Sequence, residues 1–280
     1  MIDGELQTKL DRMQEILRSL DRVVVAFSAG VDSMLVLKVA LDTLGTENVI
    51  AATGRSDSLA QREFDEACRL TEAVGVEHLV IDTDEFDNPN YLANPTNRCY
   101  FCKTTLYEHL DRVLSKRGFK AIVNGINVDD LGDWRPGIQA AREHAVHAPA
   151  AEAGLTKDDI RALSKEMGLP TYDKPASPCL SSRVQYGEEI TPEKLHMIEQ
   201  AENFLHDIGL RECRVRHHNN LARIEIPVDL IEKYTAPELR ASIDAKLREI
   251  GYAYVAIDLR GFRSGSMNEV IAFGQVQPQF

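Results

Sequence analysis

At 280 residues the chain can form one large or two modest domains, each with its own core, which excludes a disulfide-stapled miniature. Its 44 acidic residues against 32 basic ones leave a formal charge of −12, so a phosphate polymer would meet net repulsion, and no nucleic-acid partner is expected. No apolar run approaches the roughly 20 residues a bilayer demands, and MIDGELQTKL lacks the basic then apolar opening of a signal peptide, so the expectation is a cytoplasmic protein without a membrane partner.

In chain order, RVVVAF at 22–27 is a short apolar run that ends in SAGVDS and passes into MLVLKVALDTL, whose apolar positions suit a buried helix. The unit recurs. NVIAATG at 48–54 predicts a strand, Ser58 to Val74 a helix, EHLVID at 77–82 a strand, about Tyr100 to Lys116 a helix, and FKAIVNG at 119–125 a fourth strand. Alternation of this kind implies parallel pairing with helices on both faces, a doubly wound α/β sheet whose ligands sit at the carboxyl ends of the strands. Three loops therefore stand out: SAGVDS, TGRSDS and NGINVDDLGDWRPG.

After PCLSSR the texture changes. Thr191 and Pro192 suit the cap and first turn of a helix to about Asp207, which Gly209 ends; RECRVRHHNNLARIEIP reads as two strands around a polar turn, followed by a helix near 237–250 and a strand in YAYVAIDL. A boundary near Arg183 divides the chain into a nucleotide domain, 1–183, and a smaller α+β domain, 184–280.

SAGVDS lies between a strand and a helix, where free amides and the positive end of the helix dipole face an incoming anion. Ser28, Gly30, Asp32 and Ser33 are the candidates to hold phosphate. The GK[ST] ending of a P-loop and the GxGxxG of a dinucleotide fold are both missing here. The segment instead resembles the SGGxDS loop of ATP pyrophosphatases, which split ATP between the α and β phosphates. Ala29 stands where that pattern has glycine; it keeps the amide but adds a Cβ, a burden if the position needs positive φ. On the same resemblance Thr53 or Ser56 would meet adenine, Asp32 would take part in catalysis, and Gly125, Asp129 and Arg135 would line the ATP site. Asp130 and Asp133, with Asp129, offer hard oxygens for Mg²⁺.

Cys99 and Cys102 are three apart in CYFCK, on one face of a helix near its N-terminus, which favours the thiolate form. Cys179 follows far downstream in SPCLSSR. Three readings stand open: a redox pair with Cys179 incidental, a zinc site completed by His109 or an aspartate, or an iron-sulfur cluster whose three thiolates leave one iron open. Cys68 and Cys213 read as packing.

SAGVDS, CYFCK, NGINVDDLGDWRPG, SPCLSSR, AENFL, RVRHHNNLARIEIP and GFRSGSMNE together resemble the LarE family along almost the whole chain. The resemblance implies an ATP-dependent sulfur transferase of nickel-pincer cofactor synthesis, with ATP and Mg²⁺ bound. In that chemistry ATP adenylylates a carboxylate of pyridinium-3,5-biscarboxylic acid mononucleotide, pyrophosphate leaves, and sulfur replaces AMP. One branch of the family sacrifices a cysteine sulfur and lacks the pair matching Cys99 and Cys102. This chain resembles the other branch, in which Cys99, Cys102 and Cys179 hold a 4Fe-4S cluster that carries the sulfide. The resemblance also implies a homo-oligomer, a hexamer of stacked trimers.

The second domain suits an anion on its own account. Arg214 and Arg216, two apart on a strand, share a face that Arg223 on the returning strand would join, and guanidinium forks match phosphate and carboxylate. Ser182, Arg183, Glu202, Arg260 and Arg263 occupy motif positions of the family. The alternatives are a tRNA-thiolating PP-loop enzyme, which the acidic balance disfavours, and a non-catalytic adenine-nucleotide module with structural zinc.

Overall fold

A computed structural model describes residues 2–132, 136–263 and 265–268; Asp133 and Arg135, named above, lie outside the described residues. The chain packs as two compact units. The first comprises Met1–Asp87 and Cys99–Ser177, the second Asn88–Arg98 and Pro178–Phe280. This is a division by packing, in which the short segment Asn88–Arg98 leaves the first unit and joins the second.

In the first unit the strands are β1 (Val23–Ala26), β2 (Val49–Arg55), β3 (Glu77–Asp82) and β4 (Ala121–Val123), ordered β3-β2-β1-β4 and all parallel. Val23 stands opposite both Val49 and Ala121, which centres β1 in the sheet. Successive strand residues point to opposite faces. Accordingly Val23, Val25, Val49, Ala51, Ala121 and Val123 enter one core, while Val24, Ile50, Ala52 and Ile122 enter another. A sheet buried on both faces needs unbroken apolar strands, which explains runs such as VVVA.

Helices cover both faces. The first core takes in α1 (Gly4–Leu20), α2 (Val31–Leu44), α3 (Gln61–Val74), α7 (Pro149–Glu152) and α8 (Lys157–Glu166); the other takes in α5 (Arg98–Arg117) and α6 (Pro136–Glu143). The expected doubly wound α/β sheet is present. The expected elements omit α1, α6, α7 and α8. In α1 the buried residues Leu6, Leu10, Met13 and Leu17 follow a helical stripe, and Asp3 caps the start by accepting from the Leu6 amide at 2.8 Å. Burying each such side chain contributes about 1.5–3 kcal/mol. The polar KDDIRALSKE of α8 hides its helical character because only Ile160, Leu163 and Ser164 are buried.

The second unit has the short α4 (Pro89–Leu92), then α9 (Pro192–Asp207), β5 (Arg214–His218), β6 (Leu221–Glu225), α10 (Ile231–Thr235), α11 (Pro237–Ile250) and β7 (Tyr254–Ile257). Its sheet, β5-β6-β7, pairs the hairpin antiparallel and β6 with β7 parallel. Val215, Ala222, Ile224 and Ile226 face the core shared with Ala201, Leu205, Ile243 and Leu247 of α9 and α11. Alternation sends Arg214, Arg216, Arg223 and Glu225 to the opposite face, where Arg216 stands directly across from Arg223. Among the described residues no helix is long and apolar enough to cross a membrane.

Candidate active site

The chain moves from β1 outward to β2 and β3, then returns to the far side of β1 for β4, so the order reverses between β1 and β4. Loops leaving such a point diverge and open a crevice at the strand ends. Two of the three loops singled out from the sequence, those after β1 and β4, emerge there.

Gly30 caps α2 with an extended backbone, and Ala29 before it is buried at φ 56, in the left-handed region. A Cβ in that conformation costs about 1–2 kcal/mol, so the alanine is held in its turn by its surroundings. Ser28 and Ser33 are joined hydroxyl to hydroxyl at 3.1 Å, Ser33 Oγ accepts from the Ser28 amide at 3.3 Å, and the Ser33 hydroxyl donates to the Gly30 carbonyl. Gly125, after β4, packs against the start of α2: a Cβ there would lie 2.7 Å from the Ser33 nitrogen and 3.0 Å from the Asp32 carbonyl carbon.

Asp32 accepts from two sides, from Asn127 Nδ2 at 3.1 Å and from Lys157 Nζ at 2.5 Å. Asn127, buried, also receives the amides of Asp129 and Asp130, while Asp130 Oδ2 accepts from the Asn127 amide at 3.1 Å. Asp129 Oδ2 accepts from the Lys157 amide at 2.7 Å. Thus Asp32, Asp129 and Asp130 are oxygen donors gathered around one asparagine and one lysine. Neither Asn127 nor Lys157 was a candidate from the sequence; Lys157 sits 125 positions from its partner, and only the fold joins them.

At the ends of β2 and β3 the Thr53 hydroxyl is buried, donating to the Phe27 carbonyl at 2.9 Å and meeting His78 Nε2 at 2.8 Å. A contact to adenine through that hydroxyl would have to break this pairing, which shifts the weight to Ser56. Ser56 donates to Glu85 Oε1 at 2.6 Å, Ser58 donates to the same oxygen at 3.3 Å, and buried Glu85 leaves Oε2 without a partner. A lone glutamate in DEFD carries no sequence signal for this placement.

Cys99 is exposed and Cys102 half-buried, both in the first turns of α5, and Cys179 is half-buried at the start of a turn in the second unit. None of the five cysteines is in a disulfide; Cys213 lies in the core of the second unit and Cys68 is half-buried on α3. Within the second unit Arg98, the residue before Cys99, donates to the carbonyl of Ser181 at 3.0 Å, two residues after Cys179. Among the described residues no group of three or more His, Cys, Asp or Glu side chains forms a ready site for a single metal ion.

Arg183 locks the Cys179 turn. Its Nε and Nη2 donate to the two oxygens of Glu202 at 3.0 and 2.9 Å, and Nη1 donates to the carbonyls of Pro178 and Cys179 and to Ser182 Oγ. Burial alone would raise the Glu202 carboxyl, but the charge and hydrogen bonds of Arg183, the charge of Arg214 and the Val215 amide hold it below the usual carboxylate range. Burial pushes Arg214 down, aided by the nearby Arg183 guanidinium, and Arg214 Cζ lies 5.1 Å from the centroid of the Phe262 ring. Arg216 donates to Glu225 at 2.7 and 3.0 Å and to the Ser182 carbonyl at 3.0 Å; Arg223 bridges Glu225 and Asp258; Arg263 reaches Asp258 at 3.4 Å. Arg260 donates its amide to Asp258 and is exposed. Arg183, Arg214, Arg216, Arg223 and Arg263 therefore stand with Glu202, Glu225 and Asp258, and cations outnumber anions.

A strand order that reverses beside an amide-rich helix start, with carboxylates on the facing loop, suits a protein of the PP-loop ATP pyrophosphatase class. In keeping with that class the chain is 24% identical over 195 residues, 56% of its length and 53% of the relative's, to tRNA-specific 2-thiouridylase MnmA of Desulforamulus reducens. No family model matches. Over nearly the whole length it is 36% identical, across 271 residues, 97% of the chain and 98% of the relative, to pyridinium-3,5-bisthiocarboxylic acid mononucleotide synthase of Lactiplantibacillus plantarum. It is 44% identical over 266 residues, 95% of the chain and 99% of the relative, to the uncharacterised protein slr1717 of Synechocystis. The chain belongs to the LarE family, that of the synthase.

Proposed function

We propose that this chain is an ATP-dependent, AMP-forming sulfur transferase that converts a carboxylate of pyridinium-3,5-biscarboxylic acid mononucleotide into a thiocarboxylate. The observation that carries the reading lies within the second unit: Arg183 grips the Cys179 carbonyl and Arg216 the Ser182 carbonyl, so the cysteine turn rests on an arginine-rich face suited to a polyanion.

The residues divide the work. Amides of the loop around Gly30 and the start of α2 receive the β and γ phosphates, with the Ser28 and Ser33 hydroxyls beside them. Asp32 holds Lys157 near the phosphates, and Asp129 and Asp130 supply oxygens of the type Mg²⁺ prefers. Ser56, with Ser58 and Glu85, faces the nucleoside. Arg214, Arg216, Arg263 and Ser182 receive the anionic groups of the pyridinium nucleotide. In the reaction one carboxylate oxygen attacks the α phosphorus and the bond to pyrophosphate breaks. Sulfur then attacks the acyl carbon, and the bond to AMP oxygen breaks.

Cys99, Cys102 and Cys179, none of them in a disulfide, fit a 4Fe-4S cluster by donor chemistry, since such a cluster takes thiolate ligands. Such a cluster, when bound, supplies one iron without a protein thiolate, at which the transferred sulfide is carried. We further propose a cytoplasmic homo-oligomer without a nucleic-acid partner. Incubation with ATP and the biscarboxylate tests the reading: pyrophosphate and AMP are expected, and ADP would overturn it. Anaerobic purification should yield a brown protein with iron and acid-labile sulfide; a colourless protein with stoichiometric zinc would sink the cluster.

A further inference from the structure

Lys174 is a charged side chain that the mechanism above leaves unused, and it is only 14% exposed. An ammonium carries three N–H bonds. Here they meet three acceptors: Glu63 Oε2 at 2.7 Å and Glu66 Oε2 at 2.8 Å, both on α3, and the carbonyl of Ala29 at 3.1 Å. Glu63 and Glu66 lie on one face of their helix and would repel each other without it. A lysine beside a phosphate loop would ordinarily be read as a phosphate ligand. This one has its donors engaged on the loop's own backbone.

That backbone is the strained part of the site. Ala29 is buried with φ 56, a conformation its Cβ disfavours. The carbonyl of Ala29 and the amide of Gly30 belong to one planar trans peptide, so they point in opposite directions. A cation holding the carbonyl on the α3 side therefore turns the Gly30 amide away from it, alongside the free amides of the α2 N-terminus.

We propose that Lys174 is a positioning residue for the phosphate loop: by gripping the Ala29 carbonyl it keeps the left-handed turn in place and the Gly30 amide presented to the phosphates of ATP. This rests on the ATP reading of the same loop. It also gives Ala29 a physical account, since a residue held from outside can occupy a turn that glycine would take unaided.

A double-mutant cycle in pyrophosphate release tests it, with ATP varied and the biscarboxylate saturating. Lys174→Met should raise the KM for ATP about tenfold, the loss of one charge-assisted hydrogen bond to the loop, and leave the rate at saturating ATP less affected. With Ala29→Gly in place, the same Lys174→Met change should raise KM less than about threefold, because glycine needs no help to stay left-handed. Should Lys174→Met fail to fold, adding Glu63→Gln and Glu66→Gln removes the repulsion left behind, and that variant is read the same way. Wild-type protein that releases no pyrophosphate would refute the ATP reading itself. Wild-type release combined with an equal KM change in both backgrounds, or a lowered melting temperature with unchanged KM, would overturn the role of Lys174 alone.

Discussion

Glu202→Gln is the substitution for which the second unit predicts most. The carboxylate is buried, accepts two bonds from Arg183 at 3.0 and 2.9 Å and one from the Val215 amide at 2.9 Å, and lies near Arg214. The amide keeps the shape and one acceptor but removes the charge, leaving Arg183, 2% exposed, without its counter-ion. Breaking a buried pair from one side costs about 3–5 kcal/mol, and the retained oxygen puts the expectation near the lower end, about 3 kcal/mol. The sign with pH follows. A carboxyl whose folded pKa is held below 4.5 contributes stability that is full above 4.5 and is lost as pH falls through the folded value, so the gap between wild type and variant should be widest near neutrality and close in acid. Urea unfolding followed by circular dichroism across that range measures it. Because Arg183 also holds the Cys179 carbonyl, thiocarboxylate formation should fall more than pyrophosphate release. A loss below about 1 kcal/mol, or a gap independent of pH, would refute the argument.

Gly125→Ala drives a methyl group into backbone at the start of α2, with the Ser33 nitrogen at 2.7 Å, so it should destabilise by about 1–3 kcal/mol and weaken ATP; calorimetry and pyrophosphate release check both. Cys179→Ala leaves the carbonyl that bonds Ser182 and Arg183 in place, and should abolish sulfur transfer while adenylylation continues; loss of both in step would mean the cysteine holds the fold. Burial lowers His217 and His218, amid Glu188, Lys194, Tyr252, Gln185, Arg216, Arg223 and Glu225, so both stay neutral where the unfolded chain would bind protons. Their share of stability is complete above about pH 6.5 and declines below it, and His217→Asn should flatten that part of the profile in thermal melts.

The sheet was legible because each strand is a short apolar run between turn residues, and because parallel pairing is the arrangement that buries VVVA on both faces. The phosphate loop was legible for a similar reason: its chemistry lies in six consecutive residues. What escaped is what the fold assembles from afar. Lys157 meets Asp32, Glu85 meets Ser56, and Lys174 meets Ala29, each across a separation that no periodicity encodes.

Arg183 and Glu202 illustrate the opposite limit. They were found by motif as residues for substrate, yet their polar atoms are engaged with each other and with the Cys179 turn. Motif position marks that a residue matters to the site without saying whether it touches the ligand or holds what does. Arg183 clamps the Cys179 turn, and Arg214 and Arg216 lie on the strand face beside it, the face proposed above to meet the anionic nucleotide. Substituting Arg183 should therefore perturb where sulfur is delivered, whereas substituting Arg214 should perturb whether the nucleotide binds. The ratio of thiocarboxylate to pyrophosphate formed distinguishes these outcomes, falling in the first case and holding steady in the second as KM rises.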